Sequence, residues 1–164
     1  MSNRAYWEGK LKKLKLPDYS IINGERYKAC GGKSFSVVNP ATNQVLTEVT
    51  ACQKEDIDTA VYSARKVFDS GAWSKLAPLE RKTALIRLSQ LMLQHQEELA
   101  LLESISMGKP VNDALNIDIP GAAHVVAWFA ESIDKIYDEV APTRSGAVAM
   151  ITREAIGVVG AIVP

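Results

Sequence analysis

The sequence predicts an α/β fold built around a parallel sheet, and three observations carry that expectation. From Ala155 to Val163 there are only apolar residues and two glycines, rich in Val and Ile, the pattern of a strand buried on both faces. A buried helix segment competes with that reading, but Gly157, Gly160 and the terminal Pro164 oppose it. Upstream, three long stretches carry helical periodicity, as layers packed over a sheet require. Finally, no second strand of this kind follows, so the chain is expected to stop before the neighbours of its core strand appear.

Composition narrows the function classes. The 164 residues are 47% hydrophobic and 23% charged, ordinary values for a globular chain. Lys plus Arg and Asp plus Glu both total 19, so no basic surface invites nucleic acid or an anionic membrane. No apolar stretch approaches the roughly 20 residues of a membrane span. The first eight residues, Met1 to Glu8, lack the apolar core of a signal peptide, which implies a cytoplasmic protein. Cys30 and Cys52 are too few and too irregularly placed for a disulfide framework or a metal site.

The elements follow in order. Residues 1–16 interleave Lys10, Lys12, Lys13 and Lys15 with Leu11, Leu14 and Leu16, a short surface helix or a solvated lead-in, ended by Pro17-Asp18. Residues 21–27 read as a hairpin about Asn23-Gly24, with a second turn at Gly31-Gly32. Strands over 34–38 and 44–49, joined through 39–43, complete a small antiparallel meander. Glu55, Asp56 and Asp58 favour the positive end of a helix dipole. Ile57, Val61, Ala64 and Phe68 give that helix one apolar face, and Ser70-Gly71 stops it.

Pro78 suits a first helical turn, although Ala77 is a poor N-cap. Leu85, Leu88, Met92 and Leu99 form the next face, with a break expected at residues 95–98 and a stop at Gly108 and Pro110. A third helical region spans about 111–137, interrupted at Pro120-Gly121, with Asp118 able to cap its second half. Residues 141–146 are a turn, and 147–152 a strand pairing with Glu139-Val140.

No chemistry-bearing motif is self-contained. Gly108-Lys109 lacks the remaining P-loop residues and reads as a helix stop. Gly157 and Gly160 sit inside the apolar run, not after it, and do not form a dinucleotide fingerprint. Neither cysteine has a histidine nearby in sequence. His95 and His124 lack a second ligand at helical spacing. Glu103 and Glu131 read as single carboxylates on solvated faces or in local ion pairs. Ligands of open parallel sheets bind beyond the carboxyl ends of the strands, so a functional part would begin where this sequence ends.

Several stretches together resemble the NAD(P)-dependent aldehyde dehydrogenase family. They are residues 22–25 (Ile-Asn-Gly-Glu), 38–42 (Val-Asn-Pro-Ala-Thr), 56–61 (Asp-Ile-Asp-Thr-Ala-Val), 102–110 (Leu-Glu-Ser-Ile-Ser-Met-Gly-Lys-Pro) and 153–164. Residues 5–7, 118–122, 133–137 and 139–143 further resemble the γ-glutamyl-γ-aminobutyraldehyde dehydrogenases of putrescine breakdown. The resemblance implies the amino-terminal part of a Rossmann-type cofactor domain. It would comprise a β-meander and helical layer over 1–138, an oligomerisation hairpin over 139–152, and a truncated first core strand over 153–164.

It also implies oxidation of an aldehyde to a carboxylic acid with NAD or NADP. A cysteine thiolate attacks, hydride passes to the nicotinamide, and water hydrolyses the thioester with a glutamate as base. The family's nucleophile, base, oxyanion-holding asparagine and cofactor-binding lysine all lie beyond Pro164, and neither Cys30 nor Cys52 matches the nucleophile. Ile162, Val163 and Pro164 match the strand end that packs on the nucleotide. Val37 and Val38 match positions whose carbonyls bind a monovalent cation, although the family's aspartate there is Ser106 here. Asp118 matches a position near the aldehyde entrance, where it would attract the cationic end of an amino aldehyde. Helix capping is its other role. The implied partners are a small-molecule aldehyde and further copies of the chain through 139–152. A truncated, non-catalytic chain that docks onto full-length subunits is the second reading. The isolated fragment is expected to be inactive.

Overall fold

A computed structural model describes residues 4–163. Its elements run α1 (Arg4–Leu11), β1 (Ser20–Ile22), β2 (Glu25–Tyr27), β3 (Ser34–Asn39), β4 (Gln44–Thr50), α2 (Lys54–Ser70), α3 (Pro78–Gln94) and α4 (Gln96–Met107). Then come α5 (Val111–Asp113), a π-helical turn (Ala114–Asp118), α6 (Ile119–Ser132), β5 (Glu139–Ala141) and β6 (Ala149–Ile151).

The strands form three separate two-stranded antiparallel ladders. This corrects the single meander, because β1–β2 and β3–β4 do not pair with each other. The β1–β2 hairpin turns through Asn23 and Gly24, both at positive φ (54° and 77°), as a tight primed turn requires. In β3–β4 the register steps from Val37↔Thr47 to Val38↔Val45. Leu46 is thus left unmatched as a bulge, which bends and twists the ribbon.

Helix α2 is fastened at its first turn. Asp56 is buried and accepts hydrogen bonds from the Tyr27 hydroxyl (2.7 Å), the Cys30 amide (2.9 Å) and the Gln53 amide (2.7 Å). One carboxylate therefore joins the helix start to the end of β2. At the other end Gly71 adopts the left-handed conformation and its amide bonds the Phe68 carbonyl, a glycine stop. For α3, whose cap position is Ala77, the Glu80 carboxylate accepts from the Ala77 amide at 3.0 Å and supplies the missing cap.

The core lies where α3, α4 and α6 meet. Its buried apolar residues include Ala100, Leu101, Ile105, Ala114, Ala123 and Ala130. Alanines on α6 let α3 approach closely, and the buried Ser89 hydroxyl donates to the Ala123 carbonyl at 2.7 Å across that seam. Lys82 spans the same pair of helices to reach Glu131 (2.6 Å) and Asp134 (3.4 Å). Helices α3 and α4 part at His95, where the break was expected. Helix α1 is held on α4, because the Tyr6 hydroxyl donates to both Glu97 oxygens (2.8 and 2.9 Å) and Lys10 reaches Glu97 at 2.7 Å.

Four further expectations need correction. Pro120 does not interrupt the third helical region. A proline removes one backbone donor and crowds the preceding turn, and the chain meets this by widening into the π-helical turn just before it. Asp118 is no cap, since its backbone is helical (φ −74°, ψ −51°) and continuous with α6. That helix ends at Ser132, short of Tyr137. Lastly, residues 152–163 form no helix or strand. A strand is defined by its ladder, and no neighbouring strand lies alongside the apolar run. The expected β5–β6 pairing is present, in register Glu139↔Ile151 to Ala141↔Ala149.

Candidate functional site

Three places hold the residues singled out by sequence, and they do not converge. The first is the carboxyl-terminal run. Residues Gly157, Val158 and Val159 lie along one wall of an open cleft of about 590 Å³, facing α2 and the β1–β2 hairpin. Ile21, Ala64, Phe68 and Trp73 are among its other walls, and the Arg65 guanidinium, lying over the Phe68 ring, reaches the edge of the cleft beside Gly157. The lining itself suits apolar packing. Ile162 and Val163 lie beyond it, almost fully exposed, and have only apolar surface to give. Pro164 lies outside the described residues.

The second place is the corner where β3 meets the end of α4. Val37 and Val38 flank the register step opposite Leu46. Gly108, at φ +81°, turns so tightly here that an added Cβ would come within 3.0 Å of Pro40 Cγ. The Ser106 hydroxyl is bonded back onto its own helix at the Leu102 carbonyl, 2.8 Å away. A hard cation favours charged or carbonyl oxygens. What this corner has to offer is two valine carbonyls and a neutral hydroxyl committed to its own helix. Among the described residues no group of three or more His, Cys, Asp and Glu converges anywhere.

The third place is Asp118, the last residue of the π-helical turn. Its carboxylate pairs with the Lys109 ammonium, and Glu103 lies 4.0 Å from the same ammonium. All three side chains are partly buried, between 24% and 33% exposed, so water screens them less than it would a surface pair. The pairing with Asp118 raises the Lys109 pKa above its ordinary value. Sequence reasoning missed this cluster. Lys109 reads only as part of a helix stop, and Glu103 as a carboxylate on a solvated face or in a local ion pair with no partner named; the structure gives it the ion pair. The signal was faint: an acid, a base and an acid at spacings that only a helix end followed by a reversing segment brings together.

Asp56 is strongly perturbed. The Cys30 and Gln53 amides and the Tyr27 hydroxyl all stabilise its charge, so its pKa falls well below the usual carboxylate range. The same carboxylate pushes the Tyr27 hydroxyl up to about 12 and raises the Cys30 thiol. A raised thiol is the opposite of what a nucleophile needs. This cluster therefore fixes backbone and is poorly suited to chemistry.

The aldehyde dehydrogenase family matches residues 27–164 of the chain. Over 151 residues the chain is 47% identical to the aminoacetaldehyde dehydrogenase of Pseudomonas aeruginosa, covering 92% of this chain and 30% of that protein. Two solved structures superimpose closely. One is the indole-3-acetaldehyde dehydrogenase of P. syringae in complex with NAD+, with TM-score 0.92 and 45% identity over 96% of this chain and 32% of that one. The other is the γ-glutamyl-γ-aminobutyraldehyde dehydrogenase of Burkholderia cenocepacia, with TM-score 0.84 and 43% identity over 85% and 28%. The chain thus spans about a third of the length of the proteins it matches. With the family matched over most of its residues and its helices and hairpins superimposing on solved members, this chain belongs to the aldehyde dehydrogenase family.

Proposed function

We propose that these residues form the amino-terminal part of an NAD- or NADP-dependent enzyme that oxidises an amino aldehyde, of the kind produced in putrescine breakdown, to its carboxylic acid. The observation that carries this reading is Asp118, a carboxylate about 30% exposed at the end of a π-helical turn, a distortion frequent at functional sites. In that role it attracts the ammonium end of the substrate and leaves the aldehyde end free to reach the reacting groups. Ile162, Val163 and Pro164 offer the nucleotide a packing surface. The cofactor, when bound, supplies the hydride acceptor. Val37 and Val38 offer carbonyls to a monovalent cation, held weakly because Ser106 brings no charge. Among the described residues no helix is long and apolar enough to cross a membrane, and we place the enzyme in the cytoplasm.

The test is a steady-state assay of the full-length protein with NAD or NADP and two aldehydes of equal length, one carrying a terminal ammonium and one uncharged. Asp118→Asn is expected to raise KM for the charged substrate about tenfold, as the loss of one favourable charge pair implies, and to leave the uncharged one unchanged. Equal effects on both substrates would sink the reading. Residues 1–164 alone are expected to show no turnover.

A second reading has one observation in its favour. The β5–β6 hairpin stands out from the body with Val140, Val148 and Met150 more than 70% exposed, and an unpaired apolar edge invites another strand. In that reading the hairpin docks this chain onto further subunits, and a chain of this length alone acts as a non-catalytic partner.

A further inference from the structure

We propose that Lys109 is a specificity-determining residue that masks the charge of Asp118 and so limits how strongly the enzyme prefers cationic aldehydes. The inference rests on the reading of Asp118 as the group that meets the substrate's ammonium.

The geometry is a bridge of three charges. The Lys109 ammonium contacts Asp118 and has Glu103 at 4.0 Å on its other side. Its position is set by the backbone. Gly108, at φ +81° against Pro40, ends α4, and Pro110 leads into α5, so the residue between them projects from a fixed corner. Asp118 is set equally firmly, because the π-helical turn is closed by the Ile119 amide donating to the Ala114 carbonyl.

The charge count then decides the effect. With Lys109 present the three groups sum to −1, and Asp118, the carboxylate proposed to meet the substrate, is the one directly neutralised. With Lys109 replaced by a neutral side chain they sum to −2, and Asp118 faces an arriving ammonium unpaired. Partial burial weakens solvent screening, so the change is felt by a cation arriving at Asp118. Lys109 touches neither substrate nor cofactor in this account and acts only through Asp118.

The experiment uses the full-length enzyme with the same pair of charged and uncharged aldehydes. Lys109→Met is expected to lower KM for the amino aldehyde about three- to tenfold, the size of one added charge interaction at a partly screened site. Its kcat, and both constants for the uncharged aldehyde, stay at their original values. Lys109→Arg, which keeps the charge, is expected to behave as the parent. Lys109→Gln gives a second neutral variant should the methionine impair folding. An amino-aldehyde KM that is unchanged or raised, or that moves together with the uncharged one, overturns the proposal. Asp118→Asn separates the two readings. If selectivity survives that change, the role of Asp118 fails and this inference with it. If selectivity is lost there while Lys109→Met behaves as the parent, only the masking fails.

Discussion

Asp56 is the residue on which the amino-terminal half depends, and its burial has consequences at acid pH. Three donors converge on a carboxylate that solvent barely reaches. Its folded pKa is depressed, so the bound proton favours the unfolded chain. The stability it contributes is therefore present in full above the unfolded value of about 3.9 and is lost as pH falls toward the folded value. The difference in unfolding stability between the parent and Asp56→Asn is expected to shrink as pH drops below about 4, measured as urea midpoints of the full-length protein. At neutral pH the replacement is expected to cost about 1–3 kcal/mol there, since it takes an acceptor from buried donors. Hydrogen exchange at the Cys30 and Gln53 amides would be faster in the variant. Cys30 supplies an independent check. Its thiol is exposed but pushed up by Asp56, so it should react slowly with a thiol reagent near neutral pH. Asp56→Asn should accelerate it, and an unchanged rate would contradict the assigned contact.

At the scale of elements, the joint between β3–β4 and α4 rests on one glycine. Gly108 has a positive φ and faces Pro40, so Gly108→Ala meets both the left-handed penalty and a crowded proline ring. The expected cost is about 1–2 kcal/mol, read in the full-length protein as a lowered urea midpoint with an unchanged slope. Helix α1 is held more lightly. Its polar attachment converges on Glu97, and exposed pairs contribute little. Glu97→Ala should leave global stability within about 0.5 kcal/mol while speeding protease cleavage around Lys12 and Lys13. The elements legible in the sequence were those written in local chemistry. Asn23-Gly24, Ser70-Gly71, Pro78 and Gly108 mark turns and helix ends that the structure has where expected. What escaped was set by distant partners. Asp56 looks like one more acidic residue in a first turn until Tyr27 and Cys30 fold over it. Asp118 looks like a cap until the π-helical turn carries the helix through Pro120. The Lys109 bridge was hidden because its carboxylates lie on different helical segments.

For the molecule as a whole, the decisive quantity is surface. A folded monomer of 17.9 kDa is expected to expose about 8,000 Å², whereas this chain exposes 12414 Å². The excess is apolar in the places that matter. Helix α2 shows Ile57 and Val61, α6 shows Val125, Trp128 and Phe129, and Ile156, Val159, Ile162 and Val163 are bare. Among the described residues most of the buried apolar ones are alanines, and the largest fully buried side chain is Asp56. The sequence carried this outcome in its periodicity, because amphipathic helices and a run apolar on both faces presuppose a layer between them. It could not show which faces would remain open, since that depends on how the segments pack. Exposed patches of this extent drive association, and a Val- and Ile-rich run without a ladder partner offers free backbone groups to any other chain. Residues 1–164, prepared alone, are accordingly expected to bind a hydrophobic dye strongly, to elute as a mixture of associated species, and to melt over a broad range. Native-like helix content is nonetheless expected, since the α3–α4–α6 contacts are internal to the piece. A monodisperse monomer with weak dye binding and a sharp melt would show that the apolar faces close over one another in solution. The open cleft beside α2 would then have to be occupied by the 155–163 run itself.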